Sequence, residues 1–337
     1  MSLLDKNELG IFIIPMVILF GFFVIYTTSF AQQSQTESFS FTVAPQNPEP
    51  FSQVSVSISS FSVDLDRALI KWNINGELTL SGIGEKSTQV RVGDSGDVTI
   101  IKVEALFANG NKLNKNLVLQ PASMDILWEA TDSYTPPFYK GKALPSPEAK
   151  IKVIANPELK SLGGNRYDTK SLIYTWKKGG DTQQSVSGFG KQSFSFQHNF
   201  FDKEQDIRVT VESPNGISTA EKSIVIPFSR PLVGVYKEDI QKGINFSKEI
   251  SKSSDYFSGK VSLVAVPYFF SVKTANDKDL SYVWKINGKS SQQQEIKNKL
   301  TVSKGGEDAG SAGIEVKIES VLKLFQEGFN SFNLNLQ

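Results

Sequence analysis

The 337-residue sequence predicts an all-β protein, three β-sandwiches in tandem behind an apolar export segment. Three observations carry that prediction. Tryptophan recurs inside one short pattern at Trp72, Trp176 and Trp284, at spacings of 104 and 108 residues. Runs alternating between apolar and polar residues recur around each copy in the same order, as strands with one face in a core and one in water require. At roughly 100–200 residues per domain the length allows two or three cores, and the repeat selects three.

The first element is residues 11–26, an uncharged apolar run followed by Thr27-Thr28-Ser29-Phe30-Ala31 and then Gln32-Gln33-Ser34-Gln35. Ser29 and Ala31 supply the small-x-small pattern read by signal peptidase, with cleavage after Ala31. As a helix the run spans about 24 Å at about 1.5 Å per residue, short of the roughly 30 Å hydrocarbon layer. Stretched over residues 9–28 it reads as a retained membrane anchor. Ahead of it Asp5 and Glu8 offset Lys6, where a signal peptide carries net positive charge. Residues 1–31 are thus expected to be a signal peptide or an anchor, and both readings place the remainder outside the cytoplasm.

Each repeat then unfolds in the same sequence of strands. Val54-Ser-Val56-Ser-Ile58, Ile151-Lys-Val153-Ile-Ala155 and Val261-Ser-Leu263-Val-Ala265 precede the tryptophans. The tryptophan strands come next, as Ile70-Lys-Trp72, Tyr174-Thr-Trp176 and Tyr282-Val-Trp284. Asn75-Gly76, Gly179-Gly180 and Asn287-Gly288 close each strand with a dipeptide suited to a type I′ hairpin, whose two central residues need positive φ. About thirty residues past each tryptophan come Ile101-Lys-Val103-Glu-Ala105, Ile207-Arg-Val209-Thr-Val211 and Ile314-Glu-Val316-Lys-Ile318. Leu117-Val-Leu119, Ile224-Val-Ile226 and Phe332 to Leu336 end the copies. Gly82-Ile-Gly84 and Gly188-Phe-Gly190 read as strand-end turns; no helix succeeds them to make them phosphate cradles. This pattern divides the chain into a linker and first strand at 32–50 and domains at 51–122, 123–228 and 229–337.

The Tyr-x-Trp strand, glycine hairpin and Ile-x-Val-x-Val strand resemble immunoglobulin-like modules and the polycystic-kidney-disease (PKD) repeats of bacterial proteins, from about residue 50 to 337. Phe194-Ser-Phe-Gln-His198-Asn-Phe200 is similar to the stretch before the long alternating strand of PKD repeats. The resemblance implies immunoglobulin/PKD-like sandwiches, with each tryptophan a core anchor, as in uncharacterised bacterial cell-surface proteins. The acidic turn after the tryptophan in PKD modules is replaced here by Asn-Gly and Gly-Gly, so calcium is not implied. Val, Ile or Ala stand where immunoglobulin domains proper place a cysteine pair, and the chain has no cysteine at all.

Chemistry is sparse. A net charge of +1 gives nucleic acid no electrostatic footing. One histidine, His198, and no cysteine exclude metal sites built from several imidazoles or thiolates, and no cofactor is expected. His198 reads as a half-buried structural residue. Loop carboxylates at Asp64/Asp66, Asp94/Asp97, Asp202/Glu204/Asp206 and Glu307/Asp308 leave a glycoside hydrolase as a distant alternative, and Asp94-Ser-Gly-Asp97 reads as a plain turn.

Tyr134-Thr-Pro-Pro-Phe138-Tyr139 is the candidate ligand-binding segment, its prolines favouring an extended path that presents Tyr134, Phe138 and Tyr139 in succession. Its place after the strand through Trp128 also suggests packing at the junction of the first and second domains. Phe200-Phe201 and Tyr268-Phe269-Phe270 read mainly as packing between modules. The expected function is that of a non-enzymatic secreted or surface protein, its modules serving as adhesion, spacer or envelope component. The alternative is a carbohydrate- or peptide-binding protein. The expected partner is an extracellular protein or glycan, plus the membrane if residues 9–28 are retained.

Overall fold

A computed structural model describes residues 37–250, 256–291, 296–305 and 310–336. The chain divides into two units, 1–37 and 38–337, and every described strand belongs to the second. The apolar run, its cleavage site and Glu307/Asp308 lie outside the described residues. Among those residues no helix is long and apolar enough to cross a membrane.

The first sandwich comprises β1 (Ser40–Ala44), β2 (Gln53–Ser59), β3 (Leu69–Ile74), β4 (Glu77–Ile83), β5 (Ser87–Arg91), β6 (Thr99–Leu106) and β7 (Lys112–Leu119). Its sheets run β1-β2-β5 and β4-β3-β6-β7. The second contains β8 (Ser123–Ala130), β9 (Lys150–Glu158), β10 (Ile173–Lys178), β11 (Asp181–Thr182), β12 (Gly188–Phe189), β13 (Ser193–Gln197), β14 (Glu204–Glu212) and β15 (Thr219–Pro227). Here β13-β9-β8 faces β11-β10-β14-β15. In the third are β16 (Leu232–Asp239), β17 (Gly243–Glu249), β18 (Tyr256–Phe257), β19 (Lys260–Tyr268), β20 (Leu280–Ile286), β21 (Lys289–Ser290), β22 (Lys299–Ser303), β23 (Gly310–Ser320) and β24 (Glu327–Leu336). Its sheets are β17-β16-β19-β22 and β18-β24-β23-β20-β21. Two antiparallel sheets with this crossing strand order, three times over, make tandem immunoglobulin-like sandwiches.

One construction repeats inside all three. Alternation sends Ile101, Val103 and Ala105 of β6, Ile207, Val209 and Val211 of β14, and Ile314, Val316 and Ile318 of β23 into separate buried clusters. Trp72, Trp176 and Trp284 sit opposite Val103, Val209 and Val316 in the same register, and none is more than 1% exposed. At about 150–250 Å² and about 25 cal/mol per Å², each ring contributes about 4–6 kcal/mol of gross burial.

The buried indole N–H also needs an acceptor. It donates to the carbonyl of Glu85 (2.7 Å), Lys191 (2.8 Å) or Lys297 (3.2 Å), on the segment crossing between sheets. The next carbonyl along, of Lys86, Gln192 or Asn298, accepts from Ile58, Ala155 or Ala265 in the opposite sheet. Each tryptophan therefore clamps the crossover as well as filling the core. Just before the tryptophan strands, Asp64, Asp168 and Asp277 each accept the N–H two residues on and so satisfy a turn.

The hairpins adopt the mirror-image turn: φ is +51° and +89° at Asn75-Gly76, +58° and +93° at Gly179-Gly180, and +51° and +77° at Asn287-Gly288. Gly84 and Gly190 occupy equivalent strand-end positions where a Cβ would lie 3.0 Å from the carbonyl oxygen of Asp66 or Lys170. The third sandwich departs from the others by adding the hairpin strand β17 and a two-residue parallel pairing of β18 with β24.

Candidate functional site

Residues 131–149 lead from β8 to β9 and form the centre of the candidate site. The segment packs against the third sandwich, which corrects the expectation that it lies at the first junction. Strand geometry is the reason: β8 starts at the first handover, and eight residues at about 3.3 Å each carry the chain to the opposite end of the second sandwich. There Ser133 bridges to Ser271, Tyr134 N–H donates to Phe270 O and Phe269 N–H to Tyr134 O, both at 2.8 Å.

Tyr134 is half-buried against an outer cluster of Tyr236, Val264, Val266, Ile244, Phe246 and Tyr268. Strand β19 is consequently covered on both faces, with Val261, Leu263 and Ala265 in the core and Val264 and Val266 outside it.

The three candidate residues do not form one surface. Tyr139 N–H reaches Pro136 O, and with Pro137 and Phe138 as central residues and Phe138 at φ +65°, the segment makes a tight turn where an extended path was expected. Phe138 is 91% exposed and borders a cleft of about 580 Å³ with Lys237, Ile244 and Phe246. Tyr139 packs edge-to-face on Tyr268 (5.7 Å) and Phe269 (6.0 Å) and borders a separate cleft of about 590 Å³.

A second strap completes the joint. In the loop after β23, Lys323 donates to Glu148 O and lies 3.8 Å from the Asp132 carboxylate. Gln326, 1% exposed, donates to Pro147 O and Ser271 Oγ and accepts from Ser271 N–H. Phe325 stacks on Phe200 at 3.4 Å, while Val321, Leu322 and Leu324 stay exposed beside it. Sequence reasoning named Phe200 but missed this loop; its apolar run Val321-Leu322-Lys323-Leu324-Phe325 between two strands was the available signal. The first joint is built otherwise. Ser95 Oγ donates to Glu158 O, Lys160 to Ser95 O, and Gln120 to Gly96 O and Ser161 O, all of them polar contacts onto backbone carbonyls.

His198 is more buried than the half-buried reading supposed, at 4% exposure, and stacks on Phe228 at 3.3 Å. Its Nδ1 has no hydrogen-bond partner among the described residues. Burial pushes its pKa down to about 4 against a smaller opposing pull from Asp202, so the ring is neutral at pH 7. Of the loop carboxylates, Asp64 caps a turn and Asp66 pairs with Lys86 at 2.7 Å. Asp97 accepts Asp94 N–H and Asp94 accepts Ser95 N–H, closing their turn.

No family model matches the chain, and no curated protein does. Solved structures resemble it at low identity. The three N-terminal domains of the bacteriophage RB49 highly immunogenic outer capsid protein align at 12% identity and TM-score 0.27, over 89% of this chain and 98% of that one. The central fibronectin-III array of RIM-binding protein gives 11% identity and TM-score 0.27 over 88% and 96%. A structure from a 1.5-MDa bacterial ice-binding adhesin gives 9% identity and TM-score 0.24 over 89% and 99%.

Proposed function

We propose that this chain is a non-enzymatic, exported array of immunoglobulin-like modules acting at the cell surface or in secreted form as an adhesion, spacer or envelope component. The supporting observation is that the described strands are consumed in building the three sandwiches and their joints. Several groups a hydrolase would recruit are otherwise placed: His198 is buried on Phe228 without an Nδ1 partner among the described residues, and the Asp64/Asp66 and Asp94/Asp97 carboxylates serve turns and an ion pair. The module limits lie near 51–122, 123–228 and 229–337, with residues 40–44 joining the first. The partner is an extracellular protein or glycan, and residues 9–28 hold the array at a membrane if they are not removed. Two measurements test this reading. The intact mass of the native protein should show either loss of residues 1–31 or their retention in a membrane fraction. Purified protein should show no turnover on a panel of glycoside and peptide substrates; turnover abolished by replacing a loop carboxylate pair refutes the proposal.

A further inference from the structure

We propose that the cleft of about 590 Å³ beside Tyr139 is a binding site for a neutral saccharide, stacked on the exposed Tyr139 ring and hydrogen-bonded by Glu249. This deepens the adhesion reading and rests on it only for the origin of the glycan.

The volume falls in the range of about 300–1,000 Å³ typical of ligand clefts. Its aromatic wall is held in place before any ligand arrives. A Cβ on Gly141 would lie 2.5 Å from Tyr139 Oη, and one on Gly234 would lie 2.8 Å from the Tyr236 ring and 3.0 Å from that of Tyr268. Two glycines therefore make the space in which the three rings lie. Polar groups are positioned as well: Asn330 donates to Val233 O at 2.7 Å and to Glu249 Oε1 at 3.2 Å, fixing the carboxylate. The Tyr236 and Tyr268 hydroxyls share a 2.6 Å hydrogen bond, and burial together with the Glu249 charge keeps both protonated. Rings beside a fixed acceptor suit a ligand with apolar C–H faces and hydroxyl edges, which is the chemistry of a pyranose.

A peptide pairing along the strand edge fits less well. On β16 the carbonyl of Val233 is taken by Asn330 and that of Val235 by Ile250 N–H, so backbone groups that would receive an added strand are already used. At the rim, Leu232 and Phe329 remain 54% and 58% exposed, apolar area on which a longer glycan would lie.

The test is a neutral-glycan microarray probed with the full chain, then ligand-observed NMR with cellobiose, maltose and N,N′-diacetylchitobiose. At least one neutral glycan should be retained, with affinity falling about tenfold or more in both Tyr139→Ala and Glu249→Gln. Glu249 is exposed, so Glu249→Gln should keep the wild-type thermal midpoint, and Phe329→Ala should weaken only longer glycans. Retention of no neutral glycan, undiminished binding by both variants, or capture of a peptide or of tetramethylammonium in place of sugar would overturn the proposal. The array reading survives that outcome, since its own tests are the intact mass and the absence of turnover.

Discussion

The two joints between sandwiches are built from different materials. The first is polar and short-range, made of Ser95, Gln120 and Lys160 side chains bonding to backbone carbonyls. The second combines ring stacking at Phe200/Phe325, the aromatic packing of Tyr134 and Tyr139, and the buried amide of Gln326. Both joints bury polar side chains, Ser95 and Gln120 at the first and Gln326 at the second, but only the second adds stacked and packed rings, whose apolar burial is lost only with the interface. The second and third modules should therefore respond to damage together while the first responds alone.

The largest break is Trp176→Ala, which removes a buried ring and the indole bond to Lys191 and should cost about 3–5 kcal/mol in the second module. Hydrogen exchange should rise around Trp284 as well, and much less around Trp72. Equal loosening of the first and third modules would erase the distinction between the joints.

Acid probes the same module next. The His198 pKa falls from 6.5 unfolded to about 4 folded, so the unfolded chain takes up the proton first. Stability is then full above pH 6.5 and declines between about 6.5 and 4, by about 3 kcal/mol in all. Denaturant unfolding from pH 7 to 4 should show this decline, and His198→Phe should flatten it; matching profiles would mean that the histidine is not held neutral.

Gln326→Ala leaves Ser271 N–H and Pro147 O without their partner and should cost about 1–3 kcal/mol, read as faster exchange at residues 131–149. The mirror test at the first joint, Gln120→Ala, leaves Gly96 O and Ser161 O without a buried partner and should cost about 1–3 kcal/mol as well, but leave exchange at residues 131–149 unchanged. Faster exchange at residues 131–149 in Gln120→Ala would couple the two joints and erase the comparison.

The hairpins show how directly the chain can be read. Asn75-Gly76 and Asn287-Gly288 demand positive φ, a requirement carried by two adjacent residues, and the turn appears in each copy. That the tryptophan and the valines opposite it point into the core follows from period-two alternation for the same local reason. The indole acceptors were not readable, because Glu85, Lys191 and Lys297 offer backbone carbonyls, which every residue has.

The candidate site marks the limit. Sequence placed Tyr134, Phe138 and Tyr139 on one segment but read two prolines as an extended path, when the Pro136–Tyr139 turn sends Phe138 and Tyr139 to different clefts. The cleft beside Tyr139 draws on Gly234, Glu249, Tyr268 and Asn330, which lie in separate strands of the next module.

By itself the sequence determined the all-β class, the three tryptophan-centred copies and their turns, because these rest on alternation and on φ preferences set by neighbouring residues. Only the tertiary structure decided where residues 131–149 go and what they meet. Lys323 reaches Glu148 across 175 positions and Gln326 reaches Pro147 across 179. Contacts at such separation depend on how each strand's length carries the chain from one end of a sandwich to the other, a sum over the whole fold that no local pattern records.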